Sequence, residues 1–190
     1  MRGDRHWIPR LGTLTVTAAA LVAITGLTAA AETVSPDEYA DAACSEVVDW
    51  AEGLTSASED FDAAETPSEA ADALEGAVDD TVALIKQLRK AGTPDVEGGK
   101  ASARALIVPF KDGRGLLRDA AADAADLPDD GDGFADGKTE IDEALDEGFT
   151  GLGPDIDAVE ADADAELQDA FEADSSCNEV FANEAASDEP

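Results

Sequence analysis

Apolar residues recur along this chain at alternating intervals of three and four positions, which places them on one face of an α-helix. The first series follows Ser35-Pro36-Asp37-Glu38, a capping box in which the side chains of Ser35 and Glu38 each accept a hydrogen bond from the other residue's backbone N–H. A first helix is therefore predicted from about residue 36 to residue 64. Its buried face is formed by Ala43, Val47, Trp50, Leu54, Ala57 and Phe61.

A second capping box, Thr66-Pro67-Ser68-Glu69, predicts the start of another helix. Gly92 is suited to the left-handed conformation that ends many helices, and basic residues precede it, where cations favour the helix dipole. The predicted buried positions of this second helix are Ala71, Leu74, Val78, Thr81, Ile85 and Leu88.

The same spacing continues after Thr93-Pro94-Asp95 and predicts one long third helix over residues 94–127. Pro109 removes a backbone donor and crowds the preceding turn, so we expect a kink near Val108. The predicted buried face of this helix is formed by Val96, Gly99, Ala103, Leu106, Phe110, Gly113, Leu117, Ala120, Ala124 and Leu127.

Residues 128–133 predict a turn, and a fourth helix is predicted from about residue 133. Glycine and proline between positions 151 and 154 interrupt its pattern, so we expect a bend or a short break there. A last short helix is predicted over residues 165–173, with Asp164 as its N-cap. The predicted buried residues of these segments are Phe134, Ile141, Leu145, Phe149, Leu152, Ile156, Val159, Leu167 and Phe171.

No segment shows the alternation of apolar and polar residues that is typical of strands, and the predicted connections between helices are short. Short connections between long amphipathic helices favour antiparallel neighbours. We therefore predict an all-α domain over residues 32–181. Its expected architecture is an antiparallel up-down-up-down four-helix bundle with kinks in the third and fourth helices.

The first 31 residues have the pattern of a secretory signal peptide: arginines near the start, an uncharged stretch, and a small-residue cleavage site at Ala29-Ala30-Ala31. Cleavage after this site is the favoured interpretation, and retention of the segment as a membrane anchor is the alternative. We therefore expect a secreted or cell-envelope protein. Residues 182–190 are predicted to form a disordered acidic tail.

The only two cysteines of the chain bracket the predicted helices. An even number of cysteines in an exported chain favours a disulfide. Cys44 lies near the start of the first helix and Cys177 follows the fourth, and an even number of antiparallel helices returns the chain to its starting end. A disulfide between Cys44 and Cys177 is therefore predicted.

The chain carries 45 acidic and 12 basic residues, which gives a formal net charge of −33. So negative a protein repels nucleic acid and anionic membrane surfaces, and it attracts cations and basic partners. The single histidine, His6, lies in the predicted signal peptide, which excludes Ser-His-Asp and Cys-His catalysis and histidine metal sites from the exported chain. We predict no enzymatic activity and no cofactor.

An Asp/Gly-rich segment before the fourth helix has part of the pattern of a calcium-binding loop. Alignment of Gly133 with the invariant glycine of an EF-hand loop places three acids at ligand positions. These candidate metal ligands are Asp130, Asp132 and Asp136. The first and last ligand positions hold Pro128 and Thr139, which cannot supply the carboxylates required there. A solvated turn is therefore the favoured interpretation, and a weak calcium site is the alternative.

Basic residues are concentrated between positions 86 and 118. On the predicted third helix, five of them each follow a buried position by one and so share one flank: Lys100, Arg104, Lys111, Arg114 and Arg118. Ion pairing with neighbouring acidic helices is the favoured interpretation, and a groove for an anionic ligand or a wall polymer is the alternative. Small residues on the helix faces indicate close helix packing, with a cavity for an apolar ligand as the alternative.

Three short segments resemble a group of small secreted helical proteins of actinobacteria that have no established activity. They are Tyr39 to Cys44 with Asp49-Trp50, Ala91 to Gly99, and Leu167 to Phe171 with Cys177. The resemblance implies no particular activity. We predict a monomeric, non-enzymatic interaction protein with an unidentified protein or cell-envelope partner. Two alternatives stay open: divalent-cation binding by the acidic surface, and carriage of an apolar ligand between the helices.

Overall fold

The computed structural model describes residues 33–129, 131–152 and 163–178, all of which belong to one unit of the chain. Its regular structure is mostly helical, as predicted, and consists of helices α1 (Pro36–Ala63), α2 (Pro67–Lys90), α3 (Gly99–Ala105), α4 (Ile107–Ala125), α5 (Gly131–Thr150) and α6 (Ala165–Ala173). Two short strands, β1 (Thr33–Val34) and β2 (Thr93–Pro94), pair in parallel. The predicted signal peptide (1–31) and acidic tail (182–190) lie outside the described residues.

The predicted capping sequences start the first two helices. Ser35 Oγ accepts from the Glu38 N–H at 3.3 Å, and the Glu38 carboxylate accepts from the Ser35 N–H at 3.2 Å. At α2, Thr66 Oγ1 accepts from the Glu69 N–H at 3.3 Å, whereas the Glu69 carboxylate accepts from the Glu65 N–H at 3.0 Å. Hydrogen bonds to the Glu69 carboxylate lower its pKa below the ordinary value. The bond from the Glu65 backbone has the larger effect, and the bond from the Thr66 side chain has a smaller one.

The predicted start of the third helix at residue 94 is wrong. This part of the chain forms β2, and the Asp95 N–H extends its pairing with β1 by donating to Val34 O at 2.9 Å. Gly98 then takes a left-handed conformation, with φ at 76°, and α3 begins at Gly99. Gly99 lies so close to Pro94 that a Cβ atom on it would overlap the Pro94 carbonyl oxygen. The absence of this side chain therefore lets α3 pack directly against β2.

A kink was predicted in the third helix, and the structure has a break there instead. The break lies one turn before Pro109, which causes it. α3 ends at Ala105 and α4 begins at Ile107, with Leu106 between them. Pro109 has no N–H to donate to the Ala105 carbonyl, and its ring crowds that oxygen. The interruption therefore lies at Leu106 rather than near Val108, and buried positions continue on both sides of it in the predicted register.

The fourth predicted helix begins two residues earlier than expected, because α5 starts at Gly131. It ends at Thr150 in a turn, where the expected interruption begins, and residues 153–162 lie outside the described part of the chain. α6 confirms the last predicted helix. The Asp164 carboxylate caps α6 by accepting from the Glu166 N–H at 3.0 Å.

Two clusters of buried side chains form the core of the described residues. One joins the end of α1 and the start of α2 to α4 and α5, and its large members are Phe61, Leu74, Leu117, Phe134 and Ile141. The other joins the start of α1 and the end of α2 to α3, α4 and α6, and its large members are Tyr39, Leu84, Ile85, Leu88, Ile107, Phe110 and Leu167. Leu84, which the predicted pattern of α2 omits, is buried in the second cluster.

A polar contact joins the helices near the middle of α1. Trp50 Nε1 donates to Thr81 Oγ1 of α2 at 2.9 Å, and the Thr81 hydroxyl donates to Ala77 O at 2.7 Å. The Trp50 ring also packs edge-on against Phe110 of α4, with ring centroids 5.1 Å apart. The indole thus contacts both α2 and α4, and the fully buried threonine has a donor and an acceptor for its hydroxyl.

α2 packs against α1 and α4, α4 packs against α5, and α6 packs against α1. Between α4 and α5, glycines permit the close approach that the sequence predicts. A Cβ atom on Gly113 would lie 3.2 Å from Phe149, and one on Gly148 would lie 2.7 Å from Leu116. Across the residues that the structure describes, no helix combines the length and the apolar character needed to cross a lipid bilayer.

Candidate functional site

The predicted disulfide joins α1 to the segment after α6. Cys44 and Cys177 are bonded, with their Cα atoms 4.9 Å apart, and both are buried. Asp174 lies beside them, and its Oδ1 atom accepts from the backbone N–H groups of Ser176 and Cys177. These sulfur and carboxylate atoms lie within 4.8 Å of one another, close enough to share a metal ion. The sulfurs are bonded to each other and the carboxylate is already hydrogen-bonded, so the group has a structural role.

The predicted calcium ligands fall on a helix rather than on a loop, as far as the structure describes them. Asp132 and Asp136 are exposed and lie one turn apart on α5, and Asp130 lies outside the described residues. The EF-hand alignment requires a loop through Thr139, whereas the chain is helical from Gly131 onward. Calcium binding by these acids stays a prediction.

Tyr39 carries a buried hydroxyl for which the structure provides no hydrogen-bond partner. The residue is 1% exposed, and its ring packs edge-on against Phe171 with centroids 6.3 Å apart. Burial raises the pKa of Tyr39 to about 12. Tyr39 therefore serves as a large apolar side chain of the core, at the cost of an unpaired hydroxyl.

Tyr39→Phe is expected to raise the free energy of unfolding by about 1 kcal/mol, because phenylalanine fills the same space without an unpaired hydroxyl. In the unmodified protein, the phenol has a pKa near 10.0 when unfolded and about 12 when folded. The unfolded state loses its proton first, so stability should fall as the pH rises above about 10, and the variant should lack this contribution. Ultraviolet absorbance of the single tyrosine reports the folded pKa, and an ordinary value would contradict its burial.

Lys138 of α5 has a structural role that the sequence pattern did not predict. Its ammonium donates to the backbone carbonyls of Asp62 at 2.8 Å and Ala64 at 3.1 Å, at the C-terminal end of α1. The same nitrogen lies 5.2 Å from the ring centroid of Phe61 and 5.5 Å from that of Phe134. The last turn of α1 has no basic residue, so a cation from another helix satisfies its terminal carbonyls.

Two grooves among the described residues do not suit the apolar ligand that the sequence left as an alternative. The groove between α4 and α5 has a volume of 130 Å³ and is lined in part by Leu116, Ile141 and Leu145. Sites for small ligands usually have volumes of about 300–1,000 Å³. A larger depression of 360 Å³ lies beside Lys138, but its lining includes the acids Asp62, Glu65 and Asp142. Neither groove favours an apolar ligand.

The five basic side chains singled out by the sequence lie along α3 and α4, and we call them the basic flank: Lys100, Arg104, Lys111, Arg114 and Arg118. Arg114 is half-buried and the other four are exposed. Among the described residues the flank makes one ion pair, at 3.8 Å between Arg118 and its neighbour Asp119, with side chains 70% and 79% exposed. The described side chains therefore do not support the interpretation that neighbouring acidic helices neutralise this flank.

The basic flank is a local exception on a strongly acidic protein. Eight basic residues lie between positions 86 and 118, whereas α1 contains none and α5 contains only Lys138. Two of the eight, Arg89 and Lys90, occupy the last turn of α2, which precedes β2 and α3. Positive charge is thus concentrated in one part of the sequence, and the five cations of the basic flank form its share on α3 and α4.

Comparison with known proteins adds no functional assignment to this geometry. No protein-family model, curated protein or solved structure matches the chain. The resemblance to secreted actinobacterial proteins therefore stays a prediction. The basic flank is the candidate functional site because four of its five cations are exposed, because its charge differs from that of the acidic helices, and because it is built on two packed helices.

Proposed function

We propose that this chain is a non-enzymatic protein of the cell envelope or extracellular space that binds an anionic partner through the basic flank. The observation that carries the proposal is the set of exposed cations, with one weak ion pair among the described residues, in a chain of net charge −33. Lys100 and Arg104 are four residues apart on α3, as are Arg114 and Arg118 on α4. Like charges at this spacing destabilise a helix by about 0.2–0.5 kcal/mol, so folding alone does not favour them.

The acidic remainder of the surface would orient this binding. Helices such as α1 repel a polyanion, whereas the flank attracts it within a Debye length, about 8 Å at physiological ionic strength. Added salt should therefore weaken the interaction, which distinguishes it from docking by apolar contacts. The buried disulfide is compatible with a role outside the cytoplasm.

We also propose that α1, α2, α4 and α5 form an antiparallel four-helix bundle that displays the flank. Opposite helix ends meet in the core, since Phe61 near the end of α1 shares a cluster with Ala70 near the start of α2. Likewise, a Cβ atom on Gly137 near the start of α5 would overlap Leu127, which follows α4. A solution structure from NMR distance restraints tests this topology, and parallel neighbouring helices would contradict it.

Lys111→Gln combined with Arg118→Gln is expected to weaken binding of long-chain inorganic polyphosphate about tenfold, because each exposed charge contributes up to about 1 kcal/mol. The matched control is Lys86→Gln with Lys90→Gln on α2, which changes the net charge equally and should weaken binding about twofold or less. Isothermal titration calorimetry at low ionic strength measures both. Equal losses in the two variants, or no binding by the unmodified protein, would contradict the proposed function.

Calcium titration of the same protein tests the alternative of divalent-cation binding by the acidic surface. A specific site gives saturable heat at a fixed stoichiometry that persists when monovalent salt is added. Diffuse attraction to many carboxylates gives heat that disappears with salt. Saturable, salt-resistant binding together with no response to polyphosphate would favour cation binding over the function proposed here.

A further inference from the structure

A depression lies between the strand pair and α3, at the end of the basic flank that begins with Lys100. Its volume is 480 Å³, and both Lys100 and Arg104 belong to its lining. The hydroxyl-bearing residues Thr33 and Thr93 line it as well, and Asp95 is the acid among its lining residues. The depression therefore combines two cations and two hydroxyl donors against a single carboxylate.

Contacts between distant parts of the sequence build this depression. β1 pairs with β2, which follows it by about 60 residues, and the Asp95 N–H donates to Val34 O at 2.9 Å. Gly98 makes the left-handed turn into α3, and Gly99 packs against Pro94 without space for a side chain. The first turns of α3 are thus held against the strands by backbone contacts.

The two cations of the depression are held on one helix at a spacing suited to a shared ligand. Lys100 and Arg104 are four residues apart on α3, so their Cβ atoms lie on the same face, about 5–6 Å from each other. Both side chains are exposed, and neither forms an ion pair with a described acid. A guanidinium can hold two oxygens of an anion at once, and an ammonium adds a mobile point charge beside it.

We propose that this depression binds a single oxyanion group, a phosphate or a carboxylate, carried by the anionic partner of the basic flank. The inference rests on the proposed function and assigns it a discrete ligand position. Lys100 and Arg104 bind the anion, and Thr33 and Thr93, which also line the depression, supply hydroxyl donors for its remaining oxygens. Asp95 opposes binding because its carboxylate repels the ligand, which keeps the affinity for an isolated ion low.

Titration with inorganic phosphate and, separately, with acetate tests the site in the unmodified protein, followed by the amide NMR shifts of residues 98–104. Saturable shifts confined to this segment are expected. Lys100→Gln with Arg104→Gln should weaken phosphate binding about tenfold or more, whereas Lys111→Gln with Arg118→Gln should weaken it about twofold or less. Tighter binding of phosphate than of acetate would assign a phosphate-bearing partner, and the reverse order a carboxylate-bearing one.

Asp95→Asn should have the opposite effect on affinity. It removes the one lining carboxylate and should strengthen phosphate binding about two- to fivefold. Melting curves confirm that each variant is folded. Shifts without saturation, equal weakening in the two glutamine pairs, or weaker binding by the asparagine variant would overturn the inference. If polyphosphate binding still depends on Lys111 and Arg118, the proposed function stands without this site; if polyphosphate binding is also absent, both proposals fail.

Discussion

Removal of the disulfide, by Cys44→Ala together with Cys177→Ala, is expected to lower the free energy of unfolding by about 4–5 kcal/mol. The bond joins residues 133 positions apart, so its loss frees a long loop in the unfolded chain and raises the entropy of that state. Domains of ordinary stability have a free energy of unfolding of about 5–15 kcal/mol, so this loss would be a large part of the total. Urea denaturation of both proteins measures the difference.

Reduction supplies a control that changes no residue. Because both cysteines are buried, the protein is unfolded in reductant and then refolded with the reductant still present. This treatment should move the denaturation midpoint of the unmodified protein to that of the double variant, and it should leave the variant unchanged. Coincident curves for the oxidised, reduced and variant proteins would contradict a stabilising role for the bond.

Lys138→Met is expected to lower the free energy of unfolding by about 2 kcal/mol. The substitution keeps a flexible apolar stem over the rings of Phe61 and Phe134 but removes the ammonium. Two carbonyls at the end of α1, those of Asp62 and Ala64, then lose their donor. One of these groups lies in an exposed environment that water can reach, which keeps the expected loss below the sum of two charged hydrogen bonds.

Lys111→Met is the matched control for this measurement, since Lys111 is exposed on α4 and makes no ion pair with a described residue. Its effect on stability should lie within about 0.5 kcal/mol. If Lys138→Met lowers the free energy of unfolding no more than the control does, water replaces the Lys138 ammonium as hydrogen-bond donor to the carbonyls at the end of α1 without loss of stability. Lys138→Arg, which keeps a cation, should recover part of the stability.

The starts of α1, α2 and α6 were predictable because their causes are local in sequence. Ser35 and Glu38 form their reciprocal hydrogen bonds within one turn, and Asp164 caps α6 within two residues. A capping residue and an apolar spacing are visible without knowledge of the fold. The disulfide was predictable for a similar reason, because the chain contains only two cysteines.

The errors have two causes, a pairing between distant strands and the position at which a proline interrupts a helix. β2 pairs with a strand about 60 residues earlier, and two residues per strand leave no alternating pattern to detect. The three-four spacing that continues from Thr93-Pro94-Asp95 therefore predicted a helix from residue 94, whereas α3 begins five residues later, at Gly99. The break at Leu106 was misplaced by two residues because the effect of Pro109 falls on the carbonyl four positions before it.

The candidate site shows the same division. The basic flank was predictable because helical geometry alone places its residues together, whereas its scarcity of ion pairs depends on which helices pack beside it. Lys138 was missed because its acceptors lie on α1, more than 70 residues away. The one available signal was that Lys138 is the only basic residue of α5, one turn after Phe134.

Among the described residues, the charged side chains of α3 are all cations and those of α1 are all acids, and this uneven charge gives that part of the protein an electric dipole. Near a negatively charged surface, the total charge pushes the protein away while the dipole turns its positive side toward that surface. Repulsion therefore acts first and attraction only after rotation, within a Debye length. Adhesion to such a surface would accordingly proceed through one orientation, with the acidic helices facing the surrounding medium.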